Sequence, residues 1–568
     1  MEWAFDGQTF RILRVRPISD SSIYQGVAPD KIWTRANIGE VLPYVVTPLT
    51  WALFKTMLTE QPLLEDVPLR GGENDKGDKI ALIKGRGYIR LDFFLNSFCY
   101  LPFVTPNIMG QALGIKLPPN MVPYNKPRGI AVRLAQWIFI LTILGIVPYL
   151  SILVKRLSPL DSAKGGRLEE LVKWIGRCFR LHFKCTAYAI GAFSFLSYVL
   201  RRWMPQEADS FLPLILIGHG NVQTASQGIS LLELARYLDK KPLLKEMIRD
   251  AQSWTSTREQ VEQVEGGPQF LSMFQKFLDS NGARTAGEFE LALPRWREDP
   301  NFLLGTILSF SNASSANFPF KDRKTRAEMQ KEGVDYILAS LRPFQRNVFM
   351  RLLDSYRNFS TLRENMKYRL VEGYAELRKV FMHIGDTLVH RRILVRDSDI
   401  FFLKPQEIFH LMNTEGSDKE IGRLIEERRR QHSLLELEHT PDLIIYDKDE
   451  ISSSTDNIIN GIGCSPGVVE GAARVLYNIS DTQLLKPGEI LVAPHTDPGW
   501  TPLFLICRGI VTEIGGFLSH GATVAREYGI PCVVNVPEAT TRINTGDLIR
   551  VDGTKGLVTK IDEINPKM

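Results

Sequence analysis

The histidine at position 520 stands where this sequence could carry a covalently bound phosphoryl group. It follows a β-like run that ends in Gly515-Gly516, and it opens a predicted helix that begins near Ala522. The first turn of a helix presents unpaired N–H groups and a partial positive charge, which suit a phosphoryl group, and histidine is a competent nucleophile. The hydroxyl and cationic side chains that could assist it are Ser519, Thr523 and Arg526. A histidine before a helix is more often a cap or a packed residue, so these residues alone leave both interpretations open.

The region that must position His520 consists of short β-like runs separated by Gly, Pro and Asp. These runs are AARVLYN, GEILVAP, GIVTEI, PCVVNV, LIRVDG and LVTKI, with one clear helix at ATVAREYG. The pattern predicts a compact α/β domain of about a hundred residues, which we place at 459–565. An acidic, Ser-rich stretch at 441–458 predicts a linker before it.

Upstream of the linker, apolar residues recur at helical spacing over most of 21–440, which predicts a large helical domain. At the N-terminus, alternating residues around Asp6-Gly7 predict a β-hairpin within 1–20. A lone hairpin is marginal in water, so we expect it to belong to a larger sheet. The predicted fold class is multidomain α+β, with a large, mostly helical central domain and a C-terminal α/β domain.

Composition narrows the possible partners. The net charge is only +5 over 568 residues and the basic residues are scattered, so we predict no nucleic-acid partner. The six cysteines form no C-x-x-C pair, which argues against a zinc site or a disulfide framework and is typical of a reducing cytoplasm.

One segment is apolar enough to suggest a membrane span. Residues 135–154, AQWIFILTILGIVPYLSILV, are nearly all apolar and are flanked by Arg133 on one side and Lys155 and Arg156 on the other. A membrane span needs about 20 apolar residues, and this stretch just reaches that length. Gln136 and the lack of a clear second span favour a buried helix pair instead, and association with a membrane surface is the intermediate alternative.

Several blocks of the C-terminal region closely resemble the mobile phosphohistidine domain of the PEP-utilizing enzymes. In order, they are GCSPGVVEGAARVL, EILVAPHTDPGWTPLF, TEIGGFLSHGATVAREYGIPCVV and GDLIRVDGTKGLV. The resemblance covers roughly residues 460–563 and implies a swivelling domain in which His520, followed by Gly521, is phosphorylated. It also implies that the T-D-P-x-W-T-P block, which begins at Thr496, lies beside that histidine.

The N-terminal hairpin resembles the last strands of the ATP-grasp domain found in that family. The resemblance implies that Glu2 would ligate Mg²⁺ and that Arg16 would contact the phosphates of ATP. The glutamine usual two residues before that arginine is Arg14 here, and we find neither the rest of an ATP-grasp domain nor a G-x-x-x-x-G-K-[ST] loop. We therefore expect residues 1–20 to be a remnant, no cofactor to bind this chain tightly, and ATP and Mg²⁺ to bind a separate ATP-grasp polypeptide.

Two blocks of the helical domain resemble the acceptor-binding domain of rifampicin phosphotransferase-like members of the family. They are WTRANIGEVLPYVVTPLTW, at 33–51, and GARTAGEFELALPRWREDP, at 282–300. Ala283 stands where relatives usually have a histidine, which removes a candidate acid or base. Arg284, Glu288 and Arg295 could line an acceptor pocket, and a salt-bridged structural turn is the equal alternative.

The resemblance implies a dikinase-type phosphotransferase. A phosphoryl group from ATP would pass to His520 and then to a small-molecule hydroxyl acceptor, as in pyruvate, water dikinase or rifampicin phosphotransferase. Arg14 and Ala283 favour an alternative, a phosphohistidine-fold module that has lost turnover, and a membrane-associated module is a further one. We expect a cytoplasmic protein. The alternative is a cytoplasmic protein that associates peripherally with a membrane through residues 135–154.

Overall fold

The structure is a computed structural model of the whole chain. It describes residues 2–5, 10–14, 32–59, 79–96, 98, 101–114, 129–145, 168–216, 223–250, 254–312, 323–414, 419–438, 440–444, 458–478 and 485–561. Arg16 and most of the predicted linker at 441–458 lie outside these ranges, as do residues 146–154 of the apolar segment.

Two long helices form the centre of the helical domain. These are α5 (Leu168–Trp203) and α13 (Pro343–His390), which pack along each other. Apolar residues at helical spacing line their shared face, and Tyr188 of α5 stacks on Phe359 of α13 with ring centroids 5.0 Å apart. Among the described residues, α5 is the one helix long and apolar enough to cross a membrane by length and composition. In its most apolar window 72% of the residues are buried inside the protein, as expected for a core helix.

Shorter helices surround this pair. They are α1 (Pro48–Thr59), α2 (Leu91–Asn96), α3 (Pro106–Leu113), α4 (Ile130–Ile143), α6 (Ala208–Ile215), α7 (Gln223–Asp239), α8 (Pro242–Arg249), α9 (Trp254–Glu262), α10 (Gly267–Asn281), α11 (Asn301–Asn312), α12 (Arg323–Ser340), α14 (Pro405–Asn413) and α15 (Lys419–Glu436), with a 3₁₀ helix at Asp397–Phe402. The apolar segment predicted at 135–154 enters this domain as α4, which ends at Ile143.

Two small sheets occur among the described residues before the C-terminal domain. The predicted N-terminal hairpin is present as β1 (Glu2–Phe5) and β2 (Phe10–Arg14), paired antiparallel. A small antiparallel sheet contains β3 (Trp33–Thr34), β4 (Ile80–Ile83), β5 (Arg86–Arg90) and β6 (Leu443–Ile444) in the order β4-β5-β3-β6. The first residues of the predicted linker therefore form an edge strand of the helical domain.

The C-terminal domain is a mixed eight-stranded sheet in the order β7-β14-β13-β9-β10-β11-β12-β8. Its strands are β7 (Ile458–Asn460), β8 (Ile462–Ser465), β9 (Val468–Val475), β10 (Ile490–Ala493), β11 (Gly509–Thr512), β12 (Cys532–Val534), β13 (Leu548–Asp552) and β14 (Leu557–Lys560). Strands β9 to β12 pair in parallel, and β10 to β12 are buried throughout, as is typical of parallel strands covered on both faces. Three short helices complete the domain: α16 (Thr501–Phe504), α17 (His520–Tyr528) and α18 (Ala539–Arg542). The predicted fold class is confirmed, and all six predicted strand runs contain a strand.

The segment between α10 and α11 is tied to the start of α1 by one buried carboxylate. Glu290 accepts hydrogen bonds from the Thr47 backbone N–H at 3.0 Å and from the hydroxyls of Thr47 and Thr50 at 2.7 and 2.8 Å. It also accepts one from the backbone N–H of Ala292 at 2.9 Å. Because buried donors without acceptors are costly, this carboxylate fixes the loop that carries Arg284 and Glu288.

We expect Glu290→Ala to destabilise the helical domain by roughly 2–4 kcal/mol, since several buried donors would lose their acceptor. Calorimetry should show a lower unfolding temperature for this domain. The control is Glu332→Ala on an exposed site of α12, which should change stability by less than about 0.5 kcal/mol. Equal unfolding temperatures for the two variants would contradict the assigned role of Glu290.

Candidate functional site

His520 is the first residue of α17. Ser519 caps the helix, and its side chain accepts a hydrogen bond from the Ala522 backbone N–H at 3.4 Å. Gly529 ends the helix in a left-handed conformation. The helix thus starts at His520, two residues before the predicted start, because a serine is a favourable cap. The His520 side chain is only 1% exposed, since the helical domain covers it.

The two ring nitrogens of His520 face different partners. Nε2 lies 2.9 Å from the Thr501 hydroxyl oxygen in its own domain. Nδ1 lies 3.5 Å from a carboxylate oxygen of Glu364, which belongs to α13 of the helical domain. The side chain therefore lies between the two domains, with one nitrogen directed at each.

Electrostatics decide which nitrogen carries the proton. Burial alone would raise the pKa of Glu364, but the Arg363 guanidinium and His520 hold that pKa well below its ordinary value. Burial lowers the pKa of His520 to about 4, against the opposing effect of Glu364, so the imidazole is neutral near pH 7. A carboxylate beside Nδ1 favours the tautomer with its proton there. The lone pair is then on Nε2, where the Thr501 hydroxyl can donate to it.

Two further residues of α13 bring positive charge to this site. Arg363 and Lys367 are both buried, and Arg363 forms an ion pair with Glu364. Lys367 lies close enough to act electrostatically on His520 and Glu364. Glu40, in the segment before α1, accepts a hydrogen bond from the His520 backbone N–H. Burial raises the pKa of Glu40, and Lys367 and Arg363 oppose that rise.

Asp497, in the predicted T-D-P block, joins the two domains. Its carboxylate accepts a hydrogen bond from the backbone N–H of Gly287 in the helical domain at 2.8 Å and one from Gly499 in its own domain at 2.7 Å. Burial raises the pKa of Asp497 to about 7 despite these bonds, and nearby Glu288 adds to the rise. Its neighbour Thr496 is buried against Gly521, where an added Cβ would overlap the threonine hydroxyl.

The residues predicted to support a phosphorylated His520 bond mainly within their own domain. The Thr523 hydroxyl donates to the Ser519 carbonyl at 3.0 Å. The Arg526 guanidinium donates to the carbonyls of Cys464 at 3.1 Å and Phe517 at 2.6 Å. These contacts stabilise the start of α17, and direct contact of Ser519, Thr523 or Arg526 with a phosphoryl group stays a prediction. The same holds for Glu2 and Arg16, because neither side chain is among those that the structure describes.

The three predicted acceptor-site residues divide into two groups. Arg284 and Glu288 form a buried ion pair at 2.8 Å, and Arg284 acts electrostatically on His520, so both lie toward the histidine. Arg295 instead donates to the backbone carbonyls of Glu288 at 3.0 Å and Glu290 at 3.2 Å. Burial lowers the pKa of Arg295 to about 10. These contacts of Arg295 stabilise the loop between α10 and α11.

Several residues of this site were not predicted from the sequence. The buried ionisable residues around His520, here called the His520 cluster, are Glu40, Arg284, Glu288, Arg363, Glu364, Lys367 and Asp497. One signal was available, because Arg363 and Lys367 are four residues apart and so share a face of the predicted helix. That face also carries apolar core residues, which marks the charges as buried. Among the described residues, no group of three or more His, Cys, Asp or Glu side chains could hold a metal ion.

The loop before His520 is held by the end of α3. The backbone N–H groups of Phe517 and Leu518 donate to the carbonyls of Gln111 and Ala112, each at 2.9 Å. Gly516 makes this approach possible, since a Cβ there would overlap the backbone of α3. The Gly515-Gly516 pair therefore has a packing role in docking the C-terminal domain.

We expect His520 to react with diethylpyrocarbonate at least about tenfold more slowly than His390, because it is reached only when the domains separate. The His390 side chain is 77% exposed, whereas that of His520 is 1% exposed. Gly516→Ala should speed reaction at His520 and leave the rate at the half-buried His182 of α5 unchanged. Mass spectrometry of peptides measures each site.

Gly422→Ala on α15 is the control, because a Cβ there meets no atom within 4 Å. Reaction at His520 as fast as at His390 in the unaltered protein would contradict the docked arrangement.

Two family models match the chain. The rifampicin phosphotransferase fourth domain matches residues 182–364, which contain the second part of α5 and the first part of α13 with Arg363 and Glu364. The PEP-utilising enzyme mobile domain matches residues 485–556, which contain His520, Thr501 and Asp497. The two matches thus cover both sides of the His520 cluster.

Curated relatives agree with these models. A rifampicin phosphotransferase of Streptomyces sviceus is 30% identical over 66% of this chain and 44% of its own length. A prodigiosin synthesizing transferase of Serratia marcescens is also 30% identical over the same two fractions. A phosphoenolpyruvate synthase of Pyrococcus furiosus is 39% identical over 32% of this chain and 22% of its own length. The chain spans less than half the length of these relatives, and its residues 485–556 match the mobile domain of the PEP-utilising enzymes.

Proposed function

We propose that this chain is the carrier and acceptor-side component of a dikinase-type phosphotransferase. His520 would accept the β-phosphoryl group of ATP and deliver it to a hydroxyl group, with AMP and inorganic phosphate as the other products. One water is consumed when the γ-phosphate is released. The observation that carries the proposal is the place of His520 at the domain boundary, with Nδ1 facing Glu364 and Nε2 facing Thr501.

Loading and delivery require two positions of the C-terminal domain. In the docked position His520 is 1% exposed, so a nucleotide has no access to it. Loading therefore takes place after the domain has swung away from α13, at an ATP-grasp domain that we propose is a separate polypeptide. Moving the phosphoryl group between two closed sites keeps water out of both.

The docked position suits delivery. Arg363 and Lys367 remain fixed on α13 and would meet the negative charge of the arriving phosphoryl group. Arg284 adds a third cation near His520. Glu364 holds the Nδ1 proton, so that Nε2 can be released as a neutral imidazole when the bond to phosphorus breaks.

Mg²⁺ would accompany ATP at the ATP-grasp domain. A contribution from Glu2 or Arg16 belongs to the same proposal, as does a cytoplasmic location, where ATP is available.

The acceptor is proposed to be a small molecule with a hydroxyl group. Four of the curated relatives are named rifampicin phosphotransferases, and the match to their fourth domain covers parts of α5 and α13. That match favours an acceptor site of the same kind over one for pyruvate. Ala283 and Arg14 favour the alternative of a module without turnover. Labelling of His520 from ATP separates an active phosphotransferase from such a module.

We expect the chain to become labelled when it is incubated with ATP carrying a radioactive β-phosphate together with a candidate ATP-grasp partner. The label should be acid-labile and base-stable, as for a phosphohistidine. His520→Ala should abolish it, whereas His390→Ala at an exposed position should not. Absence of label with every partner tested would favour the module without turnover.

Lys367→Met should separate loading from delivery. We expect His520 to be labelled normally, because Lys367 stays behind on α13 when the domain swings. Transfer from the labelled chain to rifampicin or pyruvate as test acceptors should fall by about a hundredfold or more.

Lys379→Met, at a half-exposed site on the same helix, is the control and should transfer at the normal rate. Calorimetry verifies that both variants are folded. Loss of labelling together with transfer in a folded Lys367→Met protein would contradict the assignment of Lys367 to delivery.

A further inference from the structure

Helix α4 presents an apolar face to solvent. Ile130 is 88% exposed, Leu134 60%, Trp137 63% and Ile138 46%. At about 100° per residue, these four side chains and the exposed Arg133 share an arc of about 140° on the helix. We call this surface the α4 apolar face. Large apolar side chains gathered on one face of a helix mark an interaction surface more often than a single exposed one does.

The helical domain holds α4 firmly by its opposite side. Val132, Phe139 and Ile143 are buried, and the Phe139 ring stacks on Tyr188 of α5 with centroids 4.5 Å apart. At the end of the helix, Arg351 of α13 donates to the Leu144 carbonyl at 2.9 Å. Because the inner side is anchored, the α4 apolar face cannot turn inward to bury itself.

The sequence around α4 carries only positive charge. No Asp or Glu occurs from residue 93 to residue 160. The same stretch contains six basic residues: Lys116, Lys126, Arg128, Arg133, Lys155 and Arg156. An apolar helix face within a segment that has cations and no carboxylates is complementary to an anionic lipid surface.

We propose that the α4 apolar face binds the surface of an anionic lipid bilayer and holds the protein peripherally on it. Trp137 suits the boundary between headgroups and acyl chains, where tryptophan is enriched. A second copy of the chain fits less well, because two such faces would bring their Arg133 side chains and basic flanks together. The proposal rests on α4 and its charges, and it does not depend on the phosphotransferase function.

The full-length chain is sedimented with phosphatidylcholine vesicles that contain or lack phosphatidylglycerol. We expect binding to the anionic vesicles, weakened by salt and by the absence of phosphatidylglycerol. Leu134→Ser combined with Trp137→Ser should weaken binding by about tenfold or more, because the apolar contact is lost. Arg133→Glu should weaken binding to the anionic vesicles and leave the apolar contact intact, whereas Arg133→Lys should bind normally.

The matched control is Leu243→Ser combined with Phe344→Ser, which removes two apolar side chains that are 63% and 78% exposed elsewhere on the helical domain. This variant should bind vesicles normally. Light scattering and circular dichroism establish whether each variant keeps its mass and helix content. No binding to anionic vesicles, or equal binding by the α4 double variant, would overturn the proposal. A dimer that the α4 double variant breaks, without vesicle binding, would assign the face to a second copy instead.

Discussion

Seven ionisable side chains are buried together around His520, and the way the two domains meet depends on satisfying them as a group. Isolated charges cost several kcal/mol to bury, whereas ion pairs and hydrogen bonds offset much of that cost. The carboxylates and cations of the His520 cluster come from the segment before α1, the loop after α10, helix α13 and the C-terminal domain. The docked position brings residues from these four places together around His520.

A second contact reinforces this orientation without side-chain chemistry. The backbone bonds from Phe517 and Leu518 to the end of α3 depend on Gly516, whereas the bond from Gly287 to Asp497 depends on a carboxylate. The first contact involves the end of α3 and the second involves the loop after α10, so they lie at different places on the interface. Together they restrict both the position and the rotation of the first turn of α17.

Local patterns predicted much of this architecture. Short β-like runs located the strands of the C-terminal domain, and helical spacing predicted the large helical domain, because burial of apolar residues dictates both patterns. The partners of His520 were not predictable in the same way. Glu364 is 156 positions from His520, and in the sequence it looks like any charged residue of a helix. Arg526 shows the converse, since its charge suggested a phosphate ligand while its guanidinium bonds to backbone carbonyls.

Because His520 is buried against α13 in the docked position, the chemical character of its ring depends on where the domain is. Docked, the ring is desolvated and its pKa is lowered to about 4. In water an imidazole has a pKa near 6.5 and is a stronger base. Under the proposed function, the same nitrogen would be the better nucleophile once it has left α13 and the better leaving group against α13. The swing of the domain would then bias the reaction toward the acceptor, with no change in covalent structure beyond the phosphoryl group itself.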